Sequence, residues 1–166
     1  MAAPLSVIIP VGGEEHRLGP CLGALSDGLM DGLLREVILV DHPVSDALRA
    51  IAEETGAQVV SAPAGTGHAL RSAGLRVARG DWTMILHPLA ILPPGWPAAL
   101  RLHFKHTPAN AAAFRLPGVR AFSAHAGARL LGRPAAEQPV VLPRALREAK
   151  SLRKRLALLP ATVAFN

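Results

Sequence analysis

Short apolar runs alternate with stripes of helical spacing along the first hundred residues. Leu5-Ser6-Val7-Ile8-Ile9 is β-branched and of strand length. Residues 10–15 follow as a turn. Leu18, Leu22, Leu25 and Leu29 then recur at spacings of four, three and four, which predicts one helix. Residues 36–40 form a second apolar strand, ending at Asp41. Ser45 is placed to accept an orphan N–H of the next helix, and Asp46 suits its positive end. That helix runs through Ile51 and stops at Gly56. Residues 58–61 read as a third strand and residues 62–67 as a loop, with Thr66 as a cap. A helix to Arg79 carries Leu70, Ala73 and Val77 on one face. Gly80 ends it, since a residue without Cβ enters the left-handed conformation cheaply. Residues 83–86 are a fourth strand of buried type. Pro93 and Pro94 forbid its continuation, and a further helix starts near Gly95 and ends within residues 105–110.

Strands and helices alternating over such short connections predict an α/β fold with a doubly wound, mostly parallel sheet and helices on both faces. In such sheets ligands sit outside the carboxyl ends of the strands, which directs attention to His87-Pro88-Leu89. The last third has weaker periodicity. Residues 111–116, 139–142 and 158–163 read as strands, and residues 123–131 as a short helix. Residues 143–156 read as a basic helix with Leu146, Ala149, Leu152 and Leu156 on its apolar stripe.

The whole is expected to form one domain of 166 residues, half of them hydrophobic, which argues against disorder. The single cysteine, Cys21, permits no intrachain disulfide and fits a reducing cytoplasm. Residues 1–10 carry an apolar run without basic residues, and no apolar run reaches membrane-spanning length, so neither a signal peptide nor a membrane span is expected. Charge is divided unevenly. Residues 1–100 hold six Arg against ten Asp or Glu, a net −4, whereas residues 101–166 hold twelve Lys or Arg against two Glu, a net +10. A basic back half fits a phosphate-bearing partner, an anionic membrane surface, or simply a solvated face. Nucleic acid is not expected, because the basic residues have no interleaved aromatics and match no nucleic-acid motif.

The segment 80–96 reads Gly-Asp-Trp-Thr-Met-Ile-Leu-His-Pro-Leu-Ala-Ile-Leu-Pro-Pro-Gly-Trp. It resembles family 2 glycosyltransferases of the GT-A type, in particular short bacterial members with Gly-Asp-Trp-x-x-x-Leu-His-Ala-Asp-Thr and then Leu-Pro-Pro-Gly-Trp. The loop Pro63-Ala64-Gly65-Thr66-Gly67, with Gly74 further on, matches the same family in register. So do Pro10, Glu14 and Glu15 of the first loop and Asp41, Ser45 and Asp46 of the second. The match is good over residues 4–100 and patchy beyond, which divides the expected domain into a nucleotide-binding half, 1–100, and a shortened acceptor half, 101–166.

The resemblance implies transfer of a sugar from a nucleotide-diphosphate donor to an acceptor hydroxyl. It implies nucleotide contacts from Pro10, Glu14, Glu15, Asp41, Gly65, Gly67 and His87, with Asp41 on the base; Arg71 is the candidate to replace family side chains that give way to Thr66 and Ala69 here. It also implies a manganese or magnesium ion on the diphosphate. Here the sequence departs from the family, because Leu89 stands where the metal-binding Asp belongs and His87 occupies the other position of Asp-x-Asp. Hard cations prefer carboxylate oxygen, so no metal is expected. The family's acidic general base is missing too: only Glu137 and Glu148 follow residue 100. Transfer activity is therefore expected to be degenerate. Two alternatives stay open: a non-catalytic nucleotide-binding or scaffold protein on the same fold, and a nucleotidyltransferase using Gly12, Gly13, Arg17 and Gly19. A homodimer is expected through the region of the basic helix, with an anionic membrane surface as the alternative partner.

Overall fold

The computed structural model describes residues 4–118, 137–147 and 155–165. Four parallel strands make its first half: β1 (Leu5–Pro10), β2 (Leu34–Asp41), β3 (Gln58–Ser61) and β4 (Trp82–Ile85). After β5 (Ala90–Ile91) come β6 (Ala111–Arg115), β7 (Val140–Pro143), β8 (Leu156–Thr162) and β9 (Ala164–Phe165). The main sheet has the order β3-β2-β1-β4-β7-β6-β8. In it β7 runs antiparallel to both β4 and β6, and β8 runs parallel to β6. The expected α/β architecture, mostly parallel in its first half, is what the chain adopts. The short β5 and β9 pair separately, Ala90 opposite Phe165.

Alternate residues of the central strands face opposite layers. Val7 and Ile9 join the core beneath α1 (Leu18–Ala24), α2 (Ser26–Met30), α3 (Asp46–Thr55) and α5 (Trp96–His106). Ile8, Ile38 and Val40 face α4 (Gly67–Val77) and its Leu70 and Ala73. Burial on both sides is why these strands read as continuous apolar runs rather than alternating ones. Gly74 allows α4 to sit close, since a Cβ there would lie 2.5 Å from Ile8 Cγ2. The caps expected for α3 and α4 form: Ser45 Oγ accepts from Leu48 N at 3.1 Å and Thr66 Oγ1 from Ala69 N at 3.3 Å. Gly56 ends α3 in the left-handed region, at φ 71°.

Three expectations are corrected. Gly80 is not a left-handed helix cap; Ala78 takes that place with extended backbone. Gly80 is needed for space, because a Cβ would sit 2.6 Å from the Pro4 carbonyl and 2.7 Å from Ser6 N. The leucine stripe does not form one helix. The indole N–H of Trp96 donates to Ala24 O at 2.9 Å and its ring lies against Gly28, so the chain breaks into α1 and α2. Leu18 and Leu25 are buried as expected, but Leu29 is 65% exposed. The basic helix is also different at both ends. Arg144–Leu146 is a 3-10 turn and Leu156 already belongs to β8, while residues 148–154, with Glu148, lie outside the described residues. Leu146 packs with Ala111, Ala113 and Val140 in the chain's own core. The helix expected over 123–131 also falls outside the described residues.

Candidate nucleotide-binding cleft

The strand order reverses at β1: the path runs outward from β1 through β2 to β3, then returns to place β4, parallel to β1, on its other side. Such a switch leaves a crevice at the strand ends. Here it is a cleft of about 320 Å³, lined among others by Pro10, Glu14, Gly65, Gly67, Arg71 and His87. These six come from three loops and the first turns of α4. They are far apart in sequence and were all singled out from it.

Asp41 and Glu15 are not among the residues that line this cleft. Asp41 is 3% exposed at the end of β2. Its Oδ2 accepts from Gly13 N at 3.1 Å and its Oδ1 from His42 N at 2.7 Å. The carboxylate thus ties the first loop to the second. Gly12 and Gly13 make this turn with φ of 62° and 81°, a region that L side chains enter only under strain. The Gly13 N–H is therefore engaged within the protein, and Arg17 forms an ion pair with Glu14 at 3.9 Å. Glu15 Oε1 accepts from Ser45 Oγ at 3.0 Å, and its Oε2 is buried without a hydrogen-bond partner among the described residues. Glu15 borders an apolar hollow between α1 and α3, away from the cleft.

The third loop approaches the second closely. The His42 carbonyl would lie 3.3 Å from a Cβ at Gly65, and the His42 ring bonds Ala62 O at 2.8 Å. Glycine at 65 therefore keeps the loop low enough for α4 to point its N-terminus into the cleft. Helix N-termini carry free N–H groups and a partial positive charge, which suits phosphate.

His87 follows β4 and is half-buried. Its Nδ1 accepts from the Leu89 backbone N–H at 3.3 Å, which leaves Nε2 to carry the proton of the neutral ring. Burial lowers its pKa first of all, and the positive charge of Arg71 adds to this; Glu137 and Glu14 act in the opposite sense. Glu137 is exposed, and its charge is felt at His87. Phe165 on β9 meets the His87 ring edge-on at 6.4 Å between centroids. Beneath, Cys21 Sγ contacts His87 O at 3.7 Å, and burial pushes the Cys21 thiol up to about 12. Phe165 was not identifiable from sequence, because a two-residue strand leaves no periodic signal.

Of the residues that line the cleft, Glu14 alone offers a carboxylate to a hard divalent cation. Leu89 supplies no oxygen from its side chain, and His87 has one nitrogen already accepting a backbone hydrogen bond. Among the described residues no group of three or more His, Cys, Asp or Glu side chains is placed to hold a metal. Likewise no described helix is long and apolar enough to cross a membrane.

No curated protein matches the chain in sequence. Solved structures match in fold. The crystal structure of glucosyl-3-phosphoglycerate synthase from Mycobacterium tuberculosis with Mn2+, uridine diphosphate and glucosyl-3-phosphoglycerate has a TM-score of 0.68 at 19% identity, over 99% of this chain and 72% of that one. The same enzyme with Mn2+ and uridine-diphosphate-glucose gives 0.67 at 18% identity, over 99% and 71%. A further mycobacterial protein gives 0.66 at 19% identity, over 99% and 67%. At these identities the likeness is one of fold. The sequence itself carries the family: the glycosyl transferase family 2 profile matches residues 6–150, most of the chain, and the protein belongs to that family.

Proposed function

We propose that the cleft binds a nucleoside diphosphate or its sugar conjugate without help from a divalent cation, and that sugar transfer to an acceptor hydroxyl is degenerate. The observation that carries this is the convergence of Pro10, Glu14, Gly65, Gly67, Arg71 and His87 on one cleft at the β1/β4 switch point. Uridine diphosphate is the first nucleotide to test, since the structurally similar synthase binds it.

In the family the cation neutralises charge on the departing diphosphate. This chain offers three weaker substitutes. The N-terminus of α4 brings about half a positive charge at Gly67. Arg71 adds a guanidinium one turn further on. The neutral His87 ring presents its Nε2–H as a donor. Hydrogen bonds to charged groups contribute about 1.5–3 kcal/mol each, enough to hold a diphosphate. Compensating the charge that develops as a sugar–phosphate bond breaks is a larger demand. Glu137 is the one described carboxylate from the back half whose charge reaches His87, and it is the candidate to deprotonate an acceptor. Asp41 supports the site by fixing the Gly13 turn, and Glu15 does so through Ser45.

Isothermal titration tests the assignment. Wild-type protein should bind uridine diphosphate, and Arg71→Ala and His87→Ala should each weaken binding about tenfold, the loss of one charge-assisted contact. Unchanged affinity in both variants would remove the cleft as the site. A homodimer through residues 144–156 belongs to the same proposal. Light scattering at micromolar concentration should give twice the chain mass, and a clean monomer would refute it.

A further inference from the structure

A second hollow, of about 830 Å³, runs down the other side of α4. Its two walls are the exposed length of α4 and the corner where β7 passes into the 3-10 turn at Arg144–Leu146. Arg71 and Arg76 stand on the first wall, Arg144 and Arg147 on the second, with His68 near the upper end. No Asp or Glu lines it among the described residues. Arg71 and Ile85 border both this groove and the nucleotide cleft, so the two are continuous.

Four guanidinium groups around one concavity repel one another, and a low-dielectric wall strengthens the repulsion. Asp81 and Glu36 offset it only in part, their charges acting to raise the Arg147 pKa. Glu36 is bound to Ser6 Oγ, to the Arg79 backbone N–H and to Arg79 Nε. Asp81 is exposed and lies outside the lining. Burial and the neighbouring Arg144 both hold the Arg147 pKa below its usual value. Arg147 is nonetheless fixed in place, because its terminal nitrogens donate to the carbonyls of Ala78 and Gly80. Its Nε is buried without a hydrogen-bond partner among the described residues. Arginine is suited to phosphate, since its planar fork matches two oxygens at once.

We propose that this groove is a second anion site, which takes a small molecule carrying more than one phosphate group between its two arginine walls, with Arg71 shared with the nucleotide cleft. The paired arginines set the class: one phosphate can face Arg144 and Arg147, and another Arg71 and Arg76. Neutral sugars and singly charged carboxylates satisfy only part of the lining.

Inorganic tripolyphosphate is the probe, titrated into the whole chain by calorimetry. Wild-type protein should bind it, with affinity falling as salt rises. Arg76→Glu combined with Arg144→Glu, both at exposed positions, should weaken tripolyphosphate binding at least tenfold and leave uridine-diphosphate affinity within twofold. A control with Arg35→Glu and Arg49→Glu makes the same change in net charge away from the groove and should bind tripolyphosphate as wild type does. Thermal melts of both double variants establish that each is folded. No binding to wild type, or equal losses in the two double variants, would overturn the site. Binding of a short RNA or of anionic vesicles without tripolyphosphate binding would also overturn it, since the groove would then serve a macromolecule. The uridine-diphosphate arm is read separately, so failure here leaves the nucleotide cleft standing.

Discussion

At the scale of single residues, the cleft rests on side chains whose polar atoms are already committed. Asp41 accepts two backbone N–H groups while 3% exposed. Asp41→Asn replaces one acceptor by a donor facing an N–H. It should cost about 1–3 kcal/mol of stability, seen as a lower urea midpoint. It should also loosen the first loop, and an unchanged midpoint would show the tie to be weak. His87 gives a pH signature. Its pKa in the folded protein lies below the unfolded value of 6.5, chiefly through burial. The unfolded chain therefore takes up the proton first as pH falls. Stability from this group is complete above pH 6.5 and is lost as pH drops below that value through the folded pKa. Thermal melts from pH 8 to 5 should show wild type losing more stability in that acid range than His87→Gln; parallel curves would contradict the assignment. The absence of the metal-binding Asp was plain in the sequence, because Leu89 sits in a recognisable frame. That Asp41 ties down the Gly13 turn was not, since Gly13 is brought to it only by the pairing of β1 with β2.

At the scale of elements, what local chemistry decides was legible and what distant packing decides was not. Ser45 and Thr66 cap the helices expected of them, because a cap needs only the next three residues. The four parallel strands were readable for a similar reason: burial on both faces imposes unbroken apolar runs. The split between α1 and α2 depends on Trp96, some seventy positions away, and no spacing of leucines could foretell it. The pairing of β5 with β9 is likewise tertiary. Gly80 shows how a correct residue can carry a wrong reason. Its role is close approach to β1, which makes a direct prediction. Gly80→Ala forces a methyl against the Pro4 carbonyl and Ser6 N, backbone atoms that cannot swing aside. The cost should be about 1–3 kcal/mol, a fall in melting temperature of about 2–4 °C for each kcal/mol. A melting temperature equal to that of wild type would mean that β1 and the α4–β4 connection separate easily.

At the scale of the whole molecule, the chain keeps the fold of its family, while Leu89 stands where the family's metal-binding Asp is expected. In the proposed account, Arg71 and the start of α4 supply the positive charge for a diphosphate in place of a cation held by carboxylates. The arginine groove beyond α4 extends that field along the sheet face. The uneven charge of the two halves, evident in the sequence, meets here: Arg71 and Arg76 belong to the acidic half, Arg144 and Arg147 to the basic one. Only the fold shows that they share one concavity. The central claim is nucleotide binding that does not depend on a metal. Calorimetric titration of uridine diphosphate in EDTA, and again with millimolar manganese, tests it most directly. The account predicts binding in EDTA, with an affinity that manganese changes by less than about threefold, a difference of under ~0.7 kcal/mol. Binding that appears only with manganese, or tightens tenfold or more, would contradict it.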